Sequence, residues 1–241
     1  MSYQDILPYG KQSINEEDIQ AVVDVLRSPF LTQGPVVEKF EKALCDYTGS
    51  QYAVAVSSGT AALHLACLSL SIGVGDRVWT TPISFVATAN CALYCGAIVE
   101  FVDVDPANAN ICPEMLEQKL ELADKKNELP KAVIVVHFAG FSCDMEKLHS
   151  LSVKFGFNLI EDGCHALGGK YRDAPVGSCQ HSDITTFSFH PLKSITTGEG
   201  GAILTNHKSV WETALRLRHH GIERQQERLL KPQSHPGYHE V

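Results

Sequence analysis

The sequence predicts an α/β fold, with a mainly parallel sheet held between two layers of helices. Three observations carry this expectation. Short apolar runs alternate along the chain with longer stretches of helical period. Several of the runs are apolar at every position, as strands covered on both faces are. Small polar clusters follow three of them, where open α/β sheets carry their ligand loops.

The elements follow in order. Residues 15–26 predict a helix, with Ile19, Val22, Val23 and Leu26 on one face. Residues 35–47 repeat the pattern, with Pro35 tolerated in the first turn and Gly49 just past the end. Residues 52–56 form a short apolar strand, broken by Ser57-Ser58-Gly59-Thr60 before a helix over 61–70. Strands at 77–81 and 98–102 enclose a helix at 84–94. Helices at 114–122 and 145–155 flank a strand over 132–137, and the strand 157–161 runs into Asp162-Gly163. Strands at 184–189 and 202–205 precede a helix capped by Asn206 and ended by Gly221. Residues 222–241 show no clean period and read as a loop or the start of a further region. Residues 1–221 are thus expected to form one large domain.

Composition limits the function. At 241 residues the chain is long enough for one large domain or one and a fraction, and 44% of it is hydrophobic. Acidic residues outnumber basic ones 28 to 20, a net charge of -8 that repels phosphate backbones and argues against nucleic-acid binding. The longest purely aliphatic run, residues 132–136, is far short of the roughly 20 residues a membrane span needs. Residues 1–10 carry no secretory signal pattern. The eight cysteines lie mostly in apolar segments, and none is spaced as a zinc knuckle. Cys91 and Cys95, four apart, would share a helix face, but two thiols are a poor metal site. Buried free thiols in a reducing compartment are expected, and no metal. A soluble, cytoplasmic protein is the reading.

Three polar clusters mark the chemistry. Ser57-Ser58-Gly59-Thr60, between strand and helix, offers backbone N–H groups and a helix N-terminus to a phosphate. Taken alone it is better explained by a capped turn, with glycine relaxing the backbone. Glu161-Asp162-Gly163-Cys164-His165 ends a buried strand with a carboxylate, which needs a cation or N–H partner. A pyridinium nitrogen is one such partner, and nearby backbone amides are another. In Ser188-Phe189-His190-Pro191-Leu192-Lys193, followed by Gly198-Glu199-Gly200-Gly201, a lysine just past a strand is set to project into a cleft. Such an amine is nucleophilic only where desolvation or nearby positive charge favours its neutral form. In this order the three clusters supply a partner for the phosphate, the ring nitrogen and the aldehyde of pyridoxal 5′-phosphate.

With these motifs in place, the chain resembles the DegT/DnrJ/EryC1/StrS family of sugar aminotransferases on the fold-type I scaffold. Leu31-Thr32-Gln33-Gly34-Pro35, Ser58-Gly59-Thr60-Ala61-Ala62-Leu63, the stretch from Thr81-Pro82-Ile83-Ser84-Phe85 to Asn90, Glu161-Asp162 and residues 188–201 fall in the family's order. The likeness covers about residues 7–221. Residues 80–90 and 187–206 are most similar to the branch of pseudaminic acid biosynthesis, which aminates C4 of a UDP-linked 4-keto-6-deoxy sugar.

The resemblance implies the large cofactor-binding domain of that fold, with a seven-stranded type of sheet. It also implies pyridoxal phosphate as cofactor, glutamate as amino donor, a nucleotide-linked ketosugar as acceptor and a homodimer. Lys193 would hold the cofactor covalently and move protons at the sugar carbon. Asp162 would pair with the pyridine nitrogen, and Phe85 would stack on the ring. Gly59, Thr60 and Ser188 would hold the phosphate, and His165 would lie near the ring oxygen. Tyr9, Phe30, Leu31 and Thr32 would line the nucleotide-sugar side. Family members continue into a small C-terminal domain and a Gly-Tyr-Asn-Tyr-Arg-like stretch; this sequence stops before both, so truncation is expected. Two alternatives remain. Sugar dehydratases of the same scaffold carry histidine where this chain has Lys193. A non-catalytic relative or inactive fragment would keep the fold without the reaction.

Overall fold

A computed structural model describes residues 10–223. Seven strands form one sheet: β1 (Tyr52–Val56), β2 (Arg77–Thr80), β3 (Ile98–Phe101), β4 (Ala132–Val136), β5 (Asn158–Asp162), β8 (Ile184–Ser188) and β9 (Gly201–Thr205). The order is β1-β9-β8-β5-β4-β2-β3. Only β9 runs against its neighbours; all other pairings are parallel. A small hairpin, β6 (Lys170–Tyr171) with β7 (Ala174–Pro175), lies outside the sheet and was not anticipated, since two-residue strands carry no readable period.

The helices cover both faces. One layer packs α3 (Gly59–Ser69), α4 (Ala87–Tyr94) and α7 (Lys208–Arg218) on a core that includes Val54, Val78, Ile134, Ile160, Ile184 and Ile203. The other packs α5 (Pro113–Asp124) and α6 (Met145–Phe155) on Trp79, Val133, Val135 and Leu159. Alternate residues of one strand thus enter opposite cores, and β4 and β9 are buried at every position. The uniformly apolar runs meant what their pattern implied.

Capping explains most boundaries. α1 (Glu16–Arg27) opens on a reciprocal capping box between Asn15 and Asp18. α2 (Pro35–Thr48) starts on proline and ends at Gly49 in the left-handed region. Two boundaries differ from expectation. α4 begins at Ala87 rather than at residue 84, so Ser84 and Phe85 sit in the loop leading into it. α7 is preceded by His207, because the Asn206 side chain is engaged elsewhere: it accepts from the Gln51 amide and donates to the Ser178 and Cys179 carbonyls. All eight cysteines are free thiols, with Cys67 and Cys91 touching at 3.7 Å. No helix among the described residues is long and apolar enough to cross a membrane.

Because β9 is antiparallel to both β1 and β8, these two share a direction with β2, β4 and β5. Their carboxyl ends therefore open on the same edge. The three polar clusters, at residues 57–60, 161–165 and 188–201, meet there.

Candidate active site

A cavity of about 380 Å³ lies along that edge, with Ser58, Gly59, Thr60, Phe85, Asp162, His165, Ser188 and Lys193 on its walls. At one end, β1 passes into α3. Ser58 is extended and its hydroxyl accepts the Ala61 amide at 3.1 Å, capping the helix. The Gly59 and Thr60 amides belong to the first turn and have no place in the helix's own ladder. They present partial positive charge to the cavity, reinforced by the helix dipole. Glycine is required here by contact. A Cβ on Gly59 would lie 2.8 Å from Ser188 Cβ and 3.2 Å from Cys164 Sγ. Beneath the turn, a Cβ on Gly201 would fall 2.4 Å from the Ser58 carbonyl oxygen, so the start of β9 is the floor of this turn. Ser188 Oγ accepts the His190 amide at 3.4 Å, which leaves its own hydrogen for a ligand.

Asp162 closes β5 and is 5% exposed. Thr88 of α4 donates its hydroxyl to Oδ2 at 2.7 Å, and the Cys164 amide donates to Oδ1 at 3.2 Å. Among the described residues no cation lies within ion-pairing distance of it. A buried carboxylate with two neutral donors is left with acceptor capacity facing the cavity, suited to a cationic N–H. Burial, then the Asp162 charge, pushes the neighbouring Cys164 thiol well above its ordinary value and keeps it protonated.

Strand alternation sends the adjacent Glu161 to the other face. It is buried among three donors: His137 Nε2 at 2.7 Å, Thr185 Oγ1 at 3.0 Å, and the Ser182 hydroxyl. Burial opposes its ionisation, but the His137 bond and the two hydroxyls outweigh it and hold the carboxyl below its usual range. Burial opposes a charge on His137 while Glu161 favours one. The neighbours of His137 together favour the charged form, raising the group to about 10, but the Cys143 amide donates to Nδ1 at 3.1 Å and so occupies the lone pair a second proton would need. The ring is therefore neutral with its hydrogen on Nε2. His137 also donates its backbone N–H to the Asp162 carbonyl. Together these bonds lock the ends of β4 and β5 under the cavity.

Lys193 sits on the loop between β8 and β9. The loop is closed at its neck by Phe189 N–H to Gly200 O (2.8 Å) and Thr197 N–H to Phe189 O (3.0 Å). A further bond, Lys193 N–H to His190 O at 2.8 Å, turns the lysine into the cavity. His165 is held below its ordinary pKa by burial and by the Lys193 charge, so it is neutral near pH 7. Phe85 is 70% exposed on the cavity wall.

The structure brings together Gly59, Thr60, Phe85, Asp162, His165, Ser188 and Lys193. Thr32 instead lines a separate cleft of about 850 Å³ between α2 and α7, and Phe30 and Leu31 are exposed on neither wall. Tyr9 lies outside the described residues. Thr88, His137 and Ser182 were not singled out from sequence, and Glu161 was quoted without a role. The Glu161 signal was legible: consecutive carboxylates ending a buried strand must face opposite sides.

Comparison with known proteins agrees with this geometry. The model of the DegT/DnrJ/EryC1/StrS aminotransferase family matches residues 12–239. The UDP-4-amino-4,6-dideoxy-N-acetyl-beta-L-altrosamine transaminase of Campylobacter jejuni is 42% identical over 218 residues, which are 90% of this chain and 56% of that protein. Helicobacter pylori PseC, an aminotransferase of pseudaminic acid biosynthesis, superposes with a TM-score of 0.85 at 35% identity, covering 97% of this chain and 59% of PseC. A candidate sugar aminotransferase of Streptococcus pneumoniae in its PLP form gives a TM-score of 0.80 at 29% identity, over 94% of this chain and 61% of that one. The chain thus spans somewhat more than half the length of the relatives it matches.

Proposed function

We propose that this chain, which belongs to the DegT/DnrJ/EryC1/StrS aminotransferase family, carries the pyridoxal-phosphate site of a nucleotide-sugar aminotransferase. The observation that carries the reading is one cavity holding three matched partners. A buried carboxylate without a cation, a loop lysine, and a helix N-terminus with no room for a Cβ at Gly59 fit the cofactor's ring nitrogen, aldehyde and phosphate.

The Gly59 and Thr60 amides, with the Thr60 and Ser188 hydroxyls, would hold the phosphate. Asp162 would hold the proton on the ring nitrogen, and Phe85 would cover one ring face. Neutral His165 would donate a hydrogen bond near the ring oxygen. When bound, the cofactor supplies the electron sink that makes a carbon next to nitrogen acidic. Lys193 would anchor the group and then serve as the base that moves a proton at the donor and acceptor carbons. The donor we assign is glutamate. The acceptor is a nucleotide-linked 4-keto-6-deoxy sugar aminated at C4, supported by the names of the relatives. Lys193, in place of the histidine of the dehydratase alternative, supports transfer of nitrogen over loss of water.

The test is reduction with borohydride after incubation with pyridoxal phosphate, followed by peptide mass spectrometry. The expected result is one adduct on Lys193, absent in Lys193→Ala. An unmodified Lys193 would overturn the reading. Adding glutamate to the loaded protein should bleach its visible absorbance; an adduct without bleaching would favour a binding role or an inactive fragment. A panel of nucleotide ketosugars then identifies the acceptor.

A further inference from the structure

Thr88 is not among the residues that line the cavity, yet its hydroxyl makes the shorter of the two hydrogen bonds to the Asp162 carboxylate. Resting on the reading above, we propose that Thr88 is the positioning residue that orients Asp162 toward the ring nitrogen, and that Ser84 is the next link behind it.

The bond directions follow from the donor inventory. A carboxylate only accepts, so Thr88 must donate its single hydrogen to Asp162 Oδ2, at 2.7 Å. Ser84 Oγ lies 2.5 Å from Thr88 Oγ1, and since Thr88 has spent its hydrogen, Ser84 must be the donor there. The chain is therefore directional: Ser84 to Thr88 to Asp162. Thr88 is 1% exposed, so its hydroxyl rather than bulk water occupies that side of the carboxylate.

Two donors from separate elements clamp the carboxylate plane. Thr88 on α4 takes one oxygen, and the Cys164 amide after β5 takes the other. Without Thr88 the side chain can swing about its Cα–Cβ and Cβ–Cγ bonds. With its plane held by these two donors, the remaining lone pairs of Asp162 face the cavity, where a pyridine N–H would lie. Ser84 precedes Phe85, the ring on the cavity wall, so the same hydrogen-bond chain ties that wall to Asp162.

Thr88→Val keeps the shape and removes the donor; Thr88→Ser keeps the hydroxyl. Each is loaded with pyridoxal phosphate carrying a 15N ring nitrogen, and both the dissociation constant and the nitrogen chemical shift are measured. Loss of one charge-assisted bond predicts cofactor binding about tenfold weaker or more in Thr88→Val. The nitrogen shift should move toward that of unprotonated pyridine, and Thr88→Ser should restore both. Ser84→Ala, which leaves Thr88 in place, should weaken binding by a few fold with a partial shift, and it carries the test if the valine variant does not fold. Unchanged affinity and shift in both Thr88→Val and Ser84→Ala would overturn the proposal while leaving the cofactor reading intact. So would failure of Thr88→Ser to rescue. A wild-type protein that takes up no cofactor would overturn the reading itself, and the positioning role with it.

Discussion

Replacing Glu161 by alanine should cost about 3–5 kcal/mol of folding stability, because it takes a buried charged acceptor away from three donors. The magnitude follows from its three donors. His137 is fully buried, and with its Nδ1 bound to the Cys143 amide it cannot turn to find another acceptor, so its Nε2–H becomes an orphan. An unpaired buried donor costs roughly 1–3 kcal/mol, and the lost bonds to a charged acceptor about 1.5–3 kcal/mol each. The hydroxyls of Ser182 and Thr185 recover part of this by rotating; Thr185 already lies 3.4 Å from Cys179 Sγ. Glu161→Gln should cost less than half as much, because its carbonyl still accepts from His137 and its amide can donate to both hydroxyls. Urea unfolding of the cofactor-free protein, followed by fluorescence of buried Trp79, measures both values. An alanine variant within about 1 kcal/mol of wild type, or a glutamine variant as costly as alanine, would refute the reasoning. The pH dependence has a definite sign. Glu161 titrates below its usual range in the folded protein, so its contribution is complete above the ordinary glutamate value and is lost as pH falls through the lower folded one. The gap between wild type and Glu161→Gln should be flat near neutrality and close below about pH 4.

Other expectations are more local. Gly59→Ala should weaken cofactor binding by about tenfold or more, since its Cβ displaces Ser188, while the melting temperature moves by only a few degrees; wild-type affinity would remove the phosphate assignment. Gly201→Ala drives a Cβ into the Ser58 carbonyl and should leave little soluble folded protein in an expression and circular-dichroism assay. His165→Gln should bind the cofactor nearly as wild type does between pH 7 and 8, because the imidazole it replaces is already neutral there; a binding curve that gains or loses a titration in that window would contradict this.

Much of the fold could be read in advance because its signals are local. The all-apolar run 132–136 is a strand buried on both faces because nothing in it tolerates water. Pro35 and Gly49 bracket α2 for reasons confined to their own backbones. Lys193, Asp162 and Gly59 stood out because each follows a strand in a polar cluster. Missing from that view were residues whose role depends on who faces them. Thr88 looks like any helix threonine until β5 brings Asp162 to it from 74 residues away. His137 looked like the end of a strand, and Ser182 like loop. The antiparallel insertion of β9, which brings Gly201 under the Ser58–Gly59 turn, has no signature in any single segment.

By itself, then, the sequence determined the α/β class, the order of the seven main strands and the helices between them, and the three polar clusters that follow those strands. These depend on periodicity, backbone freedom and charge, properties a segment has before it meets another. Tertiary structure alone decided that the clusters share one cavity, that Asp162 is clamped by Thr88 while Glu161 pairs with His137 behind it, and that Phe30, Leu31 and Thr32 lie elsewhere. Sheet order and register set those partners, and a hydrogen bond reaching only about 3 Å exists or fails on that placement.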